Sequence, residues 1–562
     1  MSNARFLHSG NSNNSTMIGD RDNSDFFRFT RGRFLSDESH QLSQTYVQFE
    51  IDELARLAVR TAEIASDGSR KCMNIEKLPD GMHNKAIRFT MDNGFQVVGK
   101  VPNPNAGQAH FTTASEVATM DFLRNVMKIP VPNVLAWSST SGNKVGAEYI
   151  LMEDMRGVQL SKLWDQLEVD VKFKILRNIA RYQEKWLDTT FSRYGSLYYK
   201  NDVGLTTPSV EYTDKSGVTI VDNRFTIGPS VSRQNNDDGR LEMHFDRGPW
   251  TTAADYERAV GLRELHCIRS MPKLPRSPIA LHYSGTYQPS RETKILAIES
   301  YLKILNYLLP EVSIQTSHIW HSDLHTENIF VNPNNPSEIY GIIDWQSTEL
   351  APLYNHTIEP YILDYEGPPL DGLLERPKFA DIHSLFQGDP EPLAQRKATS
   401  LYTKMSLVSL YRHLVHKKMP LLFKALEFRE TVCFQLILFA RNLLIDGEAT
   451  YLALLADQQQ NNWQDILKEK MTCTDEKFPL SFSAEMIHQI EKDHIGATSS
   501  LELMQEIREM IGPKYFYARG MVTHDEYNEA RQIIPRAKTE FIRKYARDED
   551  EIAELESVWP FD

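Results

Sequence analysis

The sequence predicts an α+β protein of two lobes: an antiparallel sheet with a packed helix, then a larger, mainly helical lobe. Three features predict it. Short β-rich runs punctuated by turns, with one helical run among them, occupy residues 71–152. From about residue 156 apolar residues recur mostly at helical spacing. Inside that helical part lies one polar stretch, His321-Ser322-Asp323-Leu324-His325-Thr326-Glu327-Asn328. A strand–turn–strand pattern follows it and ends in Ile342-Ile343-Asp344-Trp345.

Each element has its own signal. Ile51, Leu54, Leu57, Ala58, Ala62 and Ala65 share one helical face, which predicts an amphipathic helix over 51–65. Residues 71–78, 85–91 and 95–101 read as strands, separated by Pro79-Asp80-Gly81 and Asp92-Asn93-Gly94; the Asn-Gly pair is a hairpin signal. A helix is expected over 113–127 and a last strand over 145–152. In the second lobe Ile175, Ile179, Tyr182 and Trp186 mark one apolar face, and Ile295, Ile298, Leu302, Leu305 and Leu309 another. Further helices are expected over 398–416, 424–445, 484–493 and 498–511, and Thr523 with Glu526 forms a capping-box signature opening the last one. Residues of about 190–290 interrupt the helical pattern, and Asn235-Asn236-Asp237-Asp238-Gly239 signals a loop there. Such an insertion suits a cover over a substrate cleft, a surface elaboration or a partner site. The expected division is a partly disordered tail and strap over 1–40, a sheet lobe over 41–155 and a helical lobe over 156–562, with the polar loop and hairpin at 318–350.

Composition narrows the class. With 562 residues, 41% hydrophobic and 25% charged, the chain has enough apolar material for two cores. A net charge of −14 argues against general nucleic-acid binding. No apolar run approaches the roughly 20 residues that span a bilayer. Cys72, Cys267, Cys433 and Cys473 are widely spaced, without CxxC or a nearby histidine at zinc spacing. They read as reduced, mostly buried thiols in a reducing compartment. The first 19 residues contain Arg5 and no acid, which suits a mitochondrial presequence or a plain disordered tail. Arg28, Arg31 and Arg33 alternate with aromatics and are expected as solvated arginines on an ordered strap.

The polar loop carries the chemistry. Moving a phosphoryl group needs a carboxylate at the attacking hydroxyl and hard oxygen ligands for Mg²⁺ bridging the phosphates. Asp323 is the candidate for the first task. Asn328 and Asp344 are the candidates for the second, because a hairpin between them brings both to one point. His321 is expected to support the loop by hydrogen bonding, and His325 to be a structural loop residue.

With His321-Ser322-Asp323-Leu324-His325, Asn328 and Ile343-Asp344-Trp345, the chain resembles the aminoglycoside-phosphotransferase-like branch of the protein-kinase-like fold. Asp-Trp stands where protein kinases carry Asp-Phe-Gly, which favours a small-molecule kinase over a protein kinase. More narrowly it is similar to the fungal altered-inheritance-of-mitochondria proteins. The stretches that carry this include Phe26-Phe27-Arg28-Phe29-Thr30-Arg31-Gly32-Arg33-Phe34, Ala114-Ser115-Glu116-Val117-Ala118-Thr119, Phe225-Thr226-Ile227-Gly228-Pro229-Ser230, Arg247-Gly248-Pro249-Trp250 and Trp559-Pro560-Phe561-Asp562.

The resemblance implies a bilobal protein-kinase-like fold, ATP and Mg²⁺ as cofactors, and a hydroxyl-bearing small molecule as acceptor. It implies that Lys100 contacts the nucleotide phosphates and that Glu116 fixes its ammonium, since a flexible lysine is useful only when held. Taken alone, the two residues read as an exposed strand-end lysine and a first-turn glutamate favoured by the helix dipole. It further places adenine recognition at the Glu153 carbonyl and the Met155 amide, with Met152 and Met155 packing on adenine or in the core. The phosphate-covering loop, Leu78-Pro79-Asp80-Gly81-Met82-His83-Asn84, has one glycine. Gly81, His83 and Asn84 can present donors to phosphate, or the stretch is an ordinary turn. After Asp344, Trp345-Gln346-Ser347-Thr348-Glu349 replaces the Gly-Asp-Pro stretch of the antibiotic-modifying relatives, which weakens any transfer of their specificity. Two functions remain open at this level: a phosphotransferase, or a nucleotide-binding pseudokinase or organelle scaffold. The resemblance favours a mitochondrial location, with the cytoplasm as the alternative; protein partners stay undefined.

Overall fold

Ile51, Leu54, Ala55, Ala58 and Ala62 are buried along one face of the first long helix, α1 (Ile51–Ala65). They pack against a five-stranded antiparallel sheet made of β1 (Cys72–Lys77), β2 (Asn84–Met91), β3 (Gln96–Pro102), β4 (Val134–Ser138) and β5 (Tyr149–Glu153), in the order β1-β2-β3-β5-β4. Strict alternation along β2 sends Ile87, Phe89 and Met91 into the core that α1 covers. Gly99 in β3 permits the close approach: a Cβ there would stand 3.0 Å from the Phe89 ring and 3.3 Å from Leu54. Helix α2 (Phe111–Asp121) lies between β3 and β4 in the chain and gives way to a wider π turn at Phe122–Val126. Two details differ from the sequence expectation. The strand expected over 145–152 begins only at Tyr149, and β4 carries no sequence signal, because its five residues are all half-buried and show no alternation.

The computed structural model describes residues 24–66, 68–204, 206–357, 359–363, 365, 367–370, 372–459, 463, 477–515 and 520–561. The acid-poor stretch 1–19, Cys473 and Asp562 lie outside these residues. Of the other thiols, Cys267 and Cys433 are buried and Cys72 is half-buried.

The second lobe is built on α3 (Val169–Leu187), α4 (Ala253–Ser270), α5 (Arg291–Leu308), α6 (Glu391–Lys418), α7 (Pro420–Arg429), α8 (Val432–Ala440), α9 (Glu448–Asp457), α10 (Ala484–Ile511), α11 (His524–Tyr545) and α12 (Glu549–Val558). Trp186, Tyr301, Leu305, Ile437 and Leu455 are among the side chains of its main core. The helix expected over 424–445 is two, α7 and α8, because Thr431 caps a new helix by accepting from the Phe434 N–H. The pair expected over 484–493 and 498–511 is one helix, α10. Its Gly496 marks a contact and not a break, since a Cβ there would stand 2.6 Å from the Thr286 carbonyl oxygen.

Segment 190–290 is woven into the lobe. It contributes β6 (Thr190–Phe191), β7 (Ser196–Tyr199), β8 (Val210–Thr213), β9 (Thr219–Asp222) and β10 (Phe225–Gly228). After α5 come β11 (Ser317–Ile319), β12 (Ile329–Asn332), β13 (Asn335–Ile342) and β14 (Leu350–Pro352). One antiparallel sheet runs β9-β8-β6-β11-β14, and β7 pairs separately with β10. The strand that leads into the polar loop is therefore flanked by an insertion strand.

Residues 24–34 run from the sheet lobe to the C-terminal helices. Asp80, fully buried, accepts from the Thr30 N–H at 2.7 Å and from Lys77 at 2.6 Å, with Lys85 at 3.1 Å. At the other end, Arg33–Phe34 pairs with Met521–Val522. Arg28 and Arg31 are exposed, whereas Arg33 is not simply solvated: it pairs with Glu38 at 2.6 Å and lies 3.7 Å over the Tyr527 ring. The whole is an α+β, bilobal, protein-kinase-like fold.

Candidate active site

The end of β3 delivers Lys100 into the cleft, and the buried helix α2 brings Glu116 to it. Lys100 Nζ donates to Glu116 Oε1 at 2.7 Å and to Asp344 Oδ1 at 2.8 Å. Lys100 and Glu116 are nearly enclosed, with side chains 10% and 4% exposed, while Asp344 stays 41% open. Burial alone would depress the Lys100 ammonium, but the charges of Asp344 and Glu116 outweigh it and hold the pKa above the ordinary lysine value. For Asp344 desolvation works upward, and the charge and hydrogen bond of Lys100 bring the net shift below the ordinary carboxylate range. Asp344 also holds a left-handed backbone, φ 62°, a conformation costly for a non-glycine residue and kept where surroundings enforce it. The next residue, Trp345, is 1% exposed; its Nε1 donates to the Ile342 carbonyl and its ring meets Trp186 and His321 edge-on.

The polar loop sits below. His321 is buried, and burial lowers its pKa, so the ring is neutral. Its Nε2–H donates to the Ile343 carbonyl at 2.9 Å, which leaves Nδ1 to accept the Asp323 N–H at 3.2 Å. This one ring ties the Asp323 loop to the Asp344 strand end. The Asp323 side chain is 58% exposed, with Oδ2 3.5 Å from His325 Nε2. Asn328 Nδ2 donates to the Asp323 carbonyl at 2.9 Å, and the Ile343 N–H donates to the Asn328 carbonyl at 2.9 Å. With its nitrogen engaged, the amide oxygen is the atom Asn328 has left to offer. Among the described residues no group of three or more His, Cys, Asp or Glu forms a cation cage. One carboxylate and one amide oxygen beside phosphates are instead what Mg²⁺ commonly uses.

Glu153 ends β5, with its side chain 3.5 Å from Arg124, and Met155 packs on Gly341, where a Cβ would collide with the Met155 methyl. Gly81 is exposed, and a Cβ there would meet nothing closer than the Asn84 oxygen at 3.9 Å, so no close approach demands glycine. Asn84 is engaged within the protein: its Nδ2 donates to Gln346 Oε1 at 2.5 Å. Gln346 Nε2 in turn donates to the Ala106 carbonyl at 3.0 Å, so this side chain spans from the Asp344 loop to two points of the sheet lobe. Sequence reading gave Gln346 no role; its partner Asn84 is 262 positions away and no local pattern links them. Beside the polar loop lies a cavity of about 60 Å³ bordered by His321, Ser322, Gln183, Asn355 and Glu359. Among the described residues, the buried Gln183 Nε2 and Asn355 Nδ2 at its wall meet no hydrogen-bond partner.

The fold is protein-kinase-like, and it brings Lys100, Glu116 and Asp344 together beside the loop of Asp323 and Asn328. No family model matches the chain. It is 36% identical over 313 residues, half of this chain, to the Subtelomeric hrmA-associated cluster protein of Aspergillus fumigatus; the match spans 59% of that relative's length. It is 25% identical over 521 residues, 83% of this chain and 80% of the relative, to Altered inheritance of mitochondria protein 9, mitochondrial, of Candida dubliniensis. Similar solved structures include a thermostable mutant of an aminoglycoside phosphotransferase in its apo form, at 15% identity, TM-score 0.29, and 68% and 98% of the two chains. An ADP-bound aminoglycoside phosphotransferase matches at 11% identity, TM-score 0.29, and 70% and 99%.

Proposed function

We propose that the chain is a Mg²⁺-ATP-dependent phosphotransferase acting on a hydroxyl of a small molecule. The observation that carries this reading is Lys100 held between a buried Glu116 and a solvent-open Asp344. Two carboxylates on one lysine leave a net negative charge beside the open face, which suits a divalent cation there. Mg²⁺ held by Asp344 and Asn328 would neutralise phosphate charge during transfer. Lys100 orients the phosphates, Asp323 orients the acceptor hydroxyl and takes its proton, and His321 keeps the Asp323 loop in register with Asp344. We place part of the acceptor against the cavity beside the loop, where the unpartnered amide donors of Gln183 and Asn355 favour an oxygen-rich group.

Titration calorimetry with ATP, with and without Mg²⁺, tests the binding step. Mg²⁺-dependent affinity should appear in the wild type and be lost in Asp344→Ala without loss of the fold; equal affinity in both would remove the metal role of Asp344. A metabolite screen for phosphate transfer then identifies the acceptor. A second reading, nucleotide binding without turnover, is favoured by one observation: the Asn84 amide is already spent on Gln346. Wild-type affinity for Mg²⁺-ATP with no transfer to any acceptor would support it. The mitochondrial names of the altered-inheritance relatives support a mitochondrial location. A reporter carrying residues 1–40 should enter mitochondria, and a diffuse cytosolic signal would remove that segment as the address. No helix among the described residues is long and apolar enough to cross a membrane.

A further inference from the structure

Helix α2, which carries Glu116, is enclosed: residues 112–120 are all buried. The sheet lobe covers one side, and the insertion pair β7–β10 covers another. The Phe111 ring meets Tyr198 edge-on at 6.0 Å, and Ala114 packs with Tyr198 and Val231. The Tyr199 hydroxyl donates to Asp121 Oδ2 at 2.7 Å while its ring stacks on Trp137 of β4. His110, just before α2, bridges Ser139 of the sheet lobe and the Asp202 carbonyl of the insertion at 2.8 and 2.9 Å.

The same pair, with the residues that flank it, also grips the chain that follows Asp344. Ser196 Oγ donates to the Thr348 carbonyl at 2.9 Å and accepts the Val231 N–H at 3.1 Å. Gly195 exchanges backbone hydrogen bonds with Leu350 at 3.0 and 2.7 Å, and Ser230 donates to Glu349. Both carboxylates that meet on Lys100 thus ride on segments anchored to one two-stranded element.

We propose that β7–β10 is a splint that holds the Glu116 helix and the segment after Asp344 in the arrangement where both reach Lys100, with Tyr199 and Ser196 as positioning residues. A kinase-like helix free to swing would lose the Lys–Glu pair in one of its states. Here the swing would expose apolar surface at Phe111, Ala114 and Tyr198 and break the Tyr199–Asp121 bond. The site is therefore assembled before a nucleotide arrives. The affinity readout rests on the nucleotide-binding reading above; the exchange readout does not.

The test uses the full chain with Tyr199→Phe combined with Ser196→Ala, which remove three hydrogen bonds and keep the aromatic packing. Asp121→Asn serves as an independent variant that weakens the same anchor from the helix side. Hydrogen exchange should accelerate about tenfold or more at residues 111–121 and 345–350, with 51–65 unchanged. Uniform acceleration along the chain, or none at α2, overturns the splint. In titration, Mg²⁺-ATP affinity should fall about tenfold in the variant, and that loss should vanish in a Glu116→Gln background, because coupled residues are non-additive. An equal loss in both backgrounds overturns the positioning role. If the wild type binds no nucleotide, the phosphotransferase reading fails and hydrogen exchange alone decides the splint.

Discussion

Two buried lysines, Lys100 and Lys294, meet carboxylates at 2.7 Å, yet their surroundings differ in one respect that separates the proposed site from a structural bolt. Lys294, on α5, gives one bond to Glu448 and others to the Leu443 and Ile445 carbonyls at 3.0 and 3.3 Å; Tyr287 donates to the second Glu448 oxygen at 2.9 Å. Both side chains are 1% exposed. One positive charge meets one negative, every lysine donor is used, and nothing faces a cleft. Lys100 meets two carboxylates, one of them open to solvent. Excess negative charge at an open face costs stability unless a cation arrives, so the imbalance itself points to a ligand.

The comparison can be broken by removing each lysine in turn. Lys294→Met leaves Glu448 buried without its charge partner, and should cost about 3–5 kcal/mol in urea unfolding. Lys100→Met strips the nearly enclosed Glu116 of its partner in the same way, so it should cost a comparable amount, but Mg²⁺-ATP affinity should collapse in this variant and stay near wild type in Lys294→Met. Equal Mg²⁺-ATP affinity in the two variants would sink the distinction between the two clusters.

Next in size is the effect of Asp323→Asn. The substitution is nearly isosteric on an exposed side chain, so unfolding should be almost unchanged. Phosphoryl transfer to an identified acceptor should fall about 10²-fold or more, the scale of lost acid–base help. Mg²⁺-ATP affinity should stay within a few-fold of wild type, since Lys100, Asn328 and Asp344 are untouched. Full turnover in the variant would take Asp323 out of the reaction.

How much of this was legible in the sequence follows from how local each cause is. The α1 face and the alternation of β2 depend on neighbours two to four residues apart, and both read directly. Asp323, Asn328 and Asp344 fall within one loop and hairpin, so their grouping was visible as a spacing. Lys100 and Glu116 stand 16 positions apart on different element types, and their meeting was expected through resemblance. By contrast, β4 is half-buried throughout and leaves no periodic trace. The two helices expected over 484–493 and 498–511 are one, and nothing local announces the Thr286 backbone against its Gly496. Gln346 and the insertion pair β7–β10 act entirely through distant partners, and their roles required the assembled chain.

The smallest expected effect per group separates the layer beneath the polar loop from the Lys294 bolt by acid. Burial drives His318 down to about 4 and His356 down to about 3, and it lowers His321 as well. These rings are stacked and bonded under the loop: His356 Nε2 is 3.0 Å from the His318 carbonyl, and Trp320 stacks on His356 at 5.5 Å. The sign follows from linkage. Above the unfolded histidine value of about 6.5 both states are neutral and stability is level. As pH falls below that value the unfolded chain takes up protons that the folded chain refuses, so stability is lost until the folded values are reached. Each histidine should contribute a slope of about 1.4 kcal/mol per pH unit at most between pH 6 and 4. Urea unfolding at pH 7, 6 and 5 measures it, with His356→Gln as the control that removes one contribution. A stability that stays flat from pH 6.5 to 4.5, or a slope the substitution leaves untouched, would mean the layer under the loop opens to water and takes up protons freely.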